Sequence, residues 1–159
     1  MRFLTLTIAA LTCLAILPSA AARASHEGHN TDPATGLWLT QNERSVIEIK
    51  PCEKSLCGYV YWIIDGGMQY DEHNPDPQKR AQALCGLPIL WGFERKEAGE
   101  WSSGKIYKAD DGDLYDANLE VLEDGTLKVR GYMGLSFLGK TQIWNRVSAD
   151  QYDVCTLPQ

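Results

Sequence analysis

The chain has 159 residues, of which 44% are hydrophobic, and carries 15 Lys and Arg against 21 Asp and Glu for a net charge of −6. An acidic chain without a basic run is repelled by phosphate backbones, which argues against nucleic-acid binding. The length fits one domain with a sizeable core.

The opening stretch "MRFLTLTIAALTCLAILPSAAARA" places Arg2 before an apolar run from Phe3 to Leu17 and ends in Ala22-Arg23-Ala24. This is the pattern of a secretory signal peptide over residues 1–24; the apolar run is shorter than the roughly 20 residues a membrane span needs. Cleavage after Ala24 leaves 135 residues with 13 basic side chains against 21 acids, a net charge of −8. Periplasmic or secreted localisation is therefore expected. Residues 25–35 are polar and expected to be loose. His26, next to the new amine, suits Cu²⁺ or Ni²⁺ chelation, but "HEGH" has the wrong spacing for a zinc protease helix, so no metal or cofactor is expected.

From Gly36 to the end at Gln159 the chain reads as one domain of short strands separated by turn signals. Eight runs qualify: "LWLT", "SVIEIK", "CGYVYWII", "LPILWGFER", "GKIYKA", "LYDANLEVL", "TLKVRGYM" and "KTQIWNRV". Ile47-Glu48-Ile49-Lys50 and Leu127-Lys128-Val129-Arg130 alternate, which means one face buried and one wet. Tyr59 to Ile64 is apolar on both faces and needs cover from outside or a cavity inside. Asp111-Gly112 and Asp124-Gly125 mark hairpins. The expected fold is all-β, an eight-stranded up-and-down antiparallel barrel with one short helix, in "PDPQKRAQAL", after the third strand.

Four cysteines follow the leader, and in an exported chain they favour disulfides, with three possible pairings. "CEKSLC" sits between two strand runs, so Cys52 and Cys57 are expected to bridge a hairpin, leaving Cys85 with Cys155. A zinc site would need paired knuckles that are only half present.

"YDEHNPDPQKR", Tyr70 to Arg80, concentrates acids around His73. Asn74-Pro75-Asp76-Pro77 is turn chemistry, and the alternating prolines break the calcium-loop template. A structural loop bordering the barrel mouth is expected, with Arg80 paired to Asp71 or Asp76.

Gly36-Leu37-Trp38 at the start of the first strand and Arg146 at the end of the last resemble the lipocalin and calycin arrangement, in which an arginine covers a G-x-W tryptophan near the closed end. A closer resemblance covers nearly the whole chain after the leader. The pieces "GLWLT", "CGYVYWI", "DEHNPDPQKR", "LCGLPIL", "WSSGKIY", "DGDLYDA", "LKVRGYMG" and "GKTQIWNRV" resemble a family of small exported bacterial proteins known as domain of unknown function 2147. Lys108-Ala109 stands where similar proteins carry Asp-Pro. The resemblance implies a lipocalin-like barrel with a binding role.

No nucleophile elbow, phosphate loop or dinucleotide fingerprint occurs, so an enzyme is not expected. Aromatics spread over separate strands are the remaining signal. The expected pocket is lined by Tyr61, Trp91, Tyr107, Tyr115 and Trp144, with Arg130 facing inward as partner for a polar or anionic group. The function expected is binding of a small, partly apolar molecule, such as an anionic amphiphile or another lipid-like ligand, by a monomer. The alternative is a filled barrel serving as a structural or protein-interaction module of the bacterial envelope; the size of the interior side chains discriminates the two.

Overall fold

A computed structural model describes residues 32–158. The expected leader, its cleavage site, His26 and His29 lie outside the described residues. Eight strands run in chain order: β1 (Gly36–Leu39), β2 (Ser45–Cys52), β3 (Ser55–Ile63), β4 (Pro88–Glu97), β5 (Glu100–Lys108), β6 (Asp113–Val121), β7 (Leu127–Tyr132) and β8 (Lys140–Val147). Each pairs antiparallel with the next, and β1 pairs back onto β8, with Trp38 opposite Arg146. The sheet is therefore a closed up-and-down barrel with no free edge. The two Asp-Gly signals mark hairpin loops as expected. Gly112 and Gly125 take positive φ of 75° and 82°, and Asp111 and Asp124 each accept the backbone N–H two residues on.

The expected helix is smaller than the sequence suggests. Only Pro77–Lys79 forms a 3₁₀ turn, capped by the Asp76 side chain accepting from the Gln78 N–H at 3.0 Å. The segment is drawn instead into a hairpin-like loop, with Tyr70 bridged to Ala83, and those extended contacts leave too few residues for α-helical turns. Ser136–Leu138 form a second 3₁₀ turn, between β7 and β8.

The cover for β3 comes from the far end of the chain. Tyr152 meets Trp62 edge-on at 4.9 Å, and the Cys155 N–H donates to the Tyr61 carbonyl at 2.7 Å. The Cys85–Cys155 disulfide fastens this tail, and Cys52–Cys57 clips the β2–β3 hairpin, both as expected from the spacing.

The closed end is built around tryptophan. Residues Asp32 to Thr35, the end of the stretch expected to be loose, form a turn that buries Ala34, whose carbonyl accepts from the Trp38 indole N–H at 2.8 Å. The Arg146 guanidinium lies 4.1 Å from the centre of the Trp38 ring and donates to the carbonyls of Thr35 and Pro33. Gly36 explains itself here: its φ is +133°, and a Cβ at that position would stand 2.6 Å from the Arg146 Nη1. Trp101 has its own arginine, Arg95, at 5.3 Å, and Arg95 pairs with Asp32 at 2.7 Å. Phe93, Leu119 and Leu127 fill the remaining space at this end.

Arg146→Ala removes the stacked cation and the donors of two carbonyls together, and is expected to destabilise the fold by about 1–3 kcal/mol. Denaturant melts of wild type and variant check this; coincident midpoints would refute it. Replacing Cys85 and Cys155 by serine opens a loop with a sequence separation of 70. The chain-entropy account gives a loss of about 4 kcal/mol. Release of the tail should also raise quenching of Trp62 fluorescence by acrylamide, whereas unchanged quenching would mean that the tail holds without its disulfide.

Candidate ligand-binding cavity

Strand direction places the β1–β2 turn, the β3–β4 loop, the β5–β6 turn and the β7–β8 loop at one end of the barrel, opposite the tryptophan-filled end. Between them opens a cavity of about 560 Å³. That lies inside the roughly 300–1,000 Å³ usual for small-molecule sites. The interior is thus filled at one end and open at the other, which is not the filled barrel of the alternative expectation.

Glycines show how the two halves differ. A Cβ on Gly104 would sit 2.3 Å from the Phe93 ring, and one on Gly58 would sit 2.7 Å from Leu90. Those glycines exist so that larger side chains can lie across them. Gly131, also on the inner face, has no such neighbour: an added Cβ would meet Ile106 at 3.5 Å and Tyr115 at 3.7 Å, ordinary contact distances. The space beside Gly131 is left to the cavity.

The floor is apolar, formed by Ile47, Val60, Val129 and Trp144, and Ile63, Ile89 and Ile106 continue the wall upward. The Trp144 indole N–H is satisfied by the Gln142 side chain at 2.8 Å. The charged groups stand at the rim. Arg44 pairs with Asp110 at 3.7 Å, and Lys108 pairs closely with Asp111. The bond to Asp111 holds the Lys108 ammonium above its ordinary pKa; burial is the largest influence on Asp111 and would raise it, but the bond and charge of Lys108 together with the Asp113 N–H outweigh it and hold Asp111 low. The third rim cation is Lys140, for which no ion-pair partner occurs among the described residues.

Of the residues expected in the pocket, Tyr107, Tyr115 and Trp144 line the cavity. Arg130, Tyr61 and Trp91 do not, and those three expectations are corrected by strand parity. Leu127, Val129 and Gly131 point inward, so Arg130 lies on the outer wall, donating to the Thr141 hydroxyl at 2.8 Å. Trp91 follows the buried Leu90 and stands outside, while Tyr61 lies on the face covered by the C-terminal tail. The same parity, counted from Trp144 on β8, brings Gln142 and Lys140 inward, and these are the polar groups that sequence reasoning missed.

The loop Tyr70 to Arg80 is structural and borders the mouth, as its turn chemistry implied. Asp71, 1% exposed, accepts from the Tyr107 hydroxyl at 2.6 Å and from the Asn74 amide at 2.6 Å. Arg80 does not pair with an acid here; its Nε donates to the Asn74 carbonyl at 2.9 Å, because the side chain folds along its own loop. Gly112 admits this loop onto the β5–β6 turn: a Cβ there would lie 2.0 Å from the His73 carbonyl oxygen. Among the described residues no three His, Cys, Asp or Glu are grouped to hold a metal ion.

Comparison with known proteins fits this architecture. Residues 36–146 match the family model described as an uncharacterized protein conserved in bacteria, DUF2147. The chain belongs to that family. It is also similar in structure to protein HP1028 from the human pathogen Helicobacter pylori, described as belonging to the lipocalin family. The identity is 24%, the TM-score 0.67, and the match covers 74% of this chain and 84% of that one. No curated protein matches the chain. The fold of this chain is thus a lipocalin-like barrel, and no helix among the described residues is long and apolar enough to cross a membrane.

Burial and the bond to Asp71 raise the Tyr107 pKa well above its ordinary value of 10.0. The folded state therefore keeps the phenol proton where the unfolded chain has lost it. The stabilisation is complete below pH 10 and declines as pH rises beyond it. Tyr107→Phe should cost about 1–3 kcal/mol at neutral pH by leaving the Asp71 oxygen without its donor, and should flatten the loss of stability above that pH. Melts across the alkaline range check both; an unchanged alkaline slope would refute the assignment.

Proposed function

We propose that this protein is an exported, monomeric binding protein for a small, partly apolar molecule, and not an enzyme. It would reach the periplasm or the exterior after cleavage near Ala24. The observation that carries the reading is the half-filled barrel, in which an apolar cavity of about 560 Å³ has a rim of paired charges and one cation, Lys140, left over among the described residues. An apolar ligand body would rest against Trp144, Ile106 and Val129, where burial of hydrocarbon contributes about 25 cal/mol per Å². A carboxylate, sulfonate or phosphate head would sit at the rim beside Lys140, the role the sequence assigned to Arg130. The lipocalin-like fold supports ligand binding in general.

Two probes test the reading, the anionic anilinonaphthalene sulfonate and neutral Nile red. Both should bind the wild type with enhanced fluorescence. Gly131→Phe places a ring where the backbone leaves open space, and should weaken both by about tenfold or more while shifting stability by less than about 1 kcal/mol. Lys140→Gln should weaken the anionic probe by roughly threefold to fivefold, the value of a partly solvated ion pair, and leave the neutral one nearly unchanged. If neither probe binds the wild type, or if Gly131→Phe binds both as well as wild type does, the proposal fails.

A further inference from the structure

We infer that the β7–β8 loop is a lipid-docking tip that sets the cavity mouth against an anionic membrane surface. Among the described residues nine large hydrophobic side chains are exposed, and four of them, Met133, Leu135, Phe137 and Leu138, fall within six positions of this one loop. Phe137 is 72% and Leu138 70% exposed. The tip is a formed structure: the 3₁₀ turn Ser136–Leu138 is closed by the Leu138 N–H donating to the Leu135 carbonyl at 3.0 Å, which holds the side chains outward.

Charge gives the second, independent observation. The chain as a whole is acidic, yet residues 131–145, which carry this loop, contain no Asp or Glu, and their one charged side chain is Lys140. Lys140 stands at the base of the loop, where a snorkelling ammonium would reach phosphate while the tip entered the acyl boundary. A folded protein partner is a poorer fit. Four side chains on one short loop fall well short of the roughly 800 Å² per partner that a stable interface buries, whereas insertion into a bilayer surface has no such minimum. The tip is also continuous with the cavity, because Met133 and Leu138 line the mouth as well. A docked barrel would open onto the lipid, which gives an amphiphile a path between bilayer and cavity without crossing water. The docking geometry stands on the loop alone; only this use of it rests on the ligand-binding reading.

The test is flotation of the processed chain, from Ser25, with vesicles of equal parts phosphatidylcholine and phosphatidylglycerol, against vesicles of phosphatidylcholine alone. The wild type should float with the anionic vesicles, and less as salt is raised. Leu135→Ser combined with Phe137→Ser changes two exposed positions outside the cavity wall, so it should fold and bind Nile red as wild type does. Its vesicle-bound fraction should nevertheless fall by roughly tenfold or more. Gly131→Phe, with its cavity filled, should still float, which separates failure of docking from failure of ligand binding. Absence of wild-type flotation, or equal flotation of the double variant, overturns the inference. So does concentration-dependent dimerisation that the double variant abolishes, since the tip would then be covered by a second copy.

Discussion

The stacking of Arg146 on Trp38 is the interaction from which the rest of the molecule is arranged. It joins the last strand to the first at a separation of 4.1 Å, and its remaining donors hold the turn that precedes β1. A cation with one face on a ring and its edge donors bonded to two carbonyls is held in place, so the register of the closing pair, Trp38 opposite Arg146, is held by side chains as well as by the ladder. Gly36 is part of the same unit, because any side chain there would collide with the guanidinium. With one end sealed by this unit and by Trp101 under Arg95, the cavity in the eight-stranded interior lies at the other end.

That uneven filling is a matter of which inner glycines are covered. Gly58 and Gly104 receive Leu90 and Phe93, whose side chains take the space a Cβ would need. Gly131 is approached only at ordinary contact distances, by Ile106 and Tyr115, and the β-bulges near Val46, Leu56 and Trp101 rotate neighbouring side chains out of strict alternation. An apolar wall facing open space loses dispersion contacts on one side, which a solid core would keep. The barrel accepts this loss only in its upper half, where the binding chemistry is proposed.

The strands were legible because alternation and Asp-Gly punctuation are local signals, and the disulfides because a short Cys spacing within a hairpin leaves one remaining pair. The pocket was legible only in part. Tyr61, Trp91 and Arg130 were singled out for their chemistry, while the pleat decides which way a side chain points; inward Val129 already requires an outward Arg130. Counting from buried Trp144 would have found Gln142 and Lys140 by the same rule. The C-terminal cover over Trp62 and the pairing of Arg95 with Asp32 had no local signal, since each joins residues far apart in sequence.

A cavity that stands open cannot take its rigidity from what fills it. The braces are accordingly outside. Asp71 ties the β3–β4 loop to Tyr107 at the end of β5, the Cys85–Cys155 disulfide ties the same loop to the tail over β3, and two ion pairs hold the β5–β6 turn. Three of the four segments around the mouth are fastened in this way or by the turn of Thr40 onto Ser45. The fourth, between β7 and β8, carries the exposed apolar side chains and lacks comparable cross-links among the described residues. The segment with the fewest ties to the barrel is thus also the one whose surface is least suited to water, and it is there that opening the mouth would cost the fewest interactions.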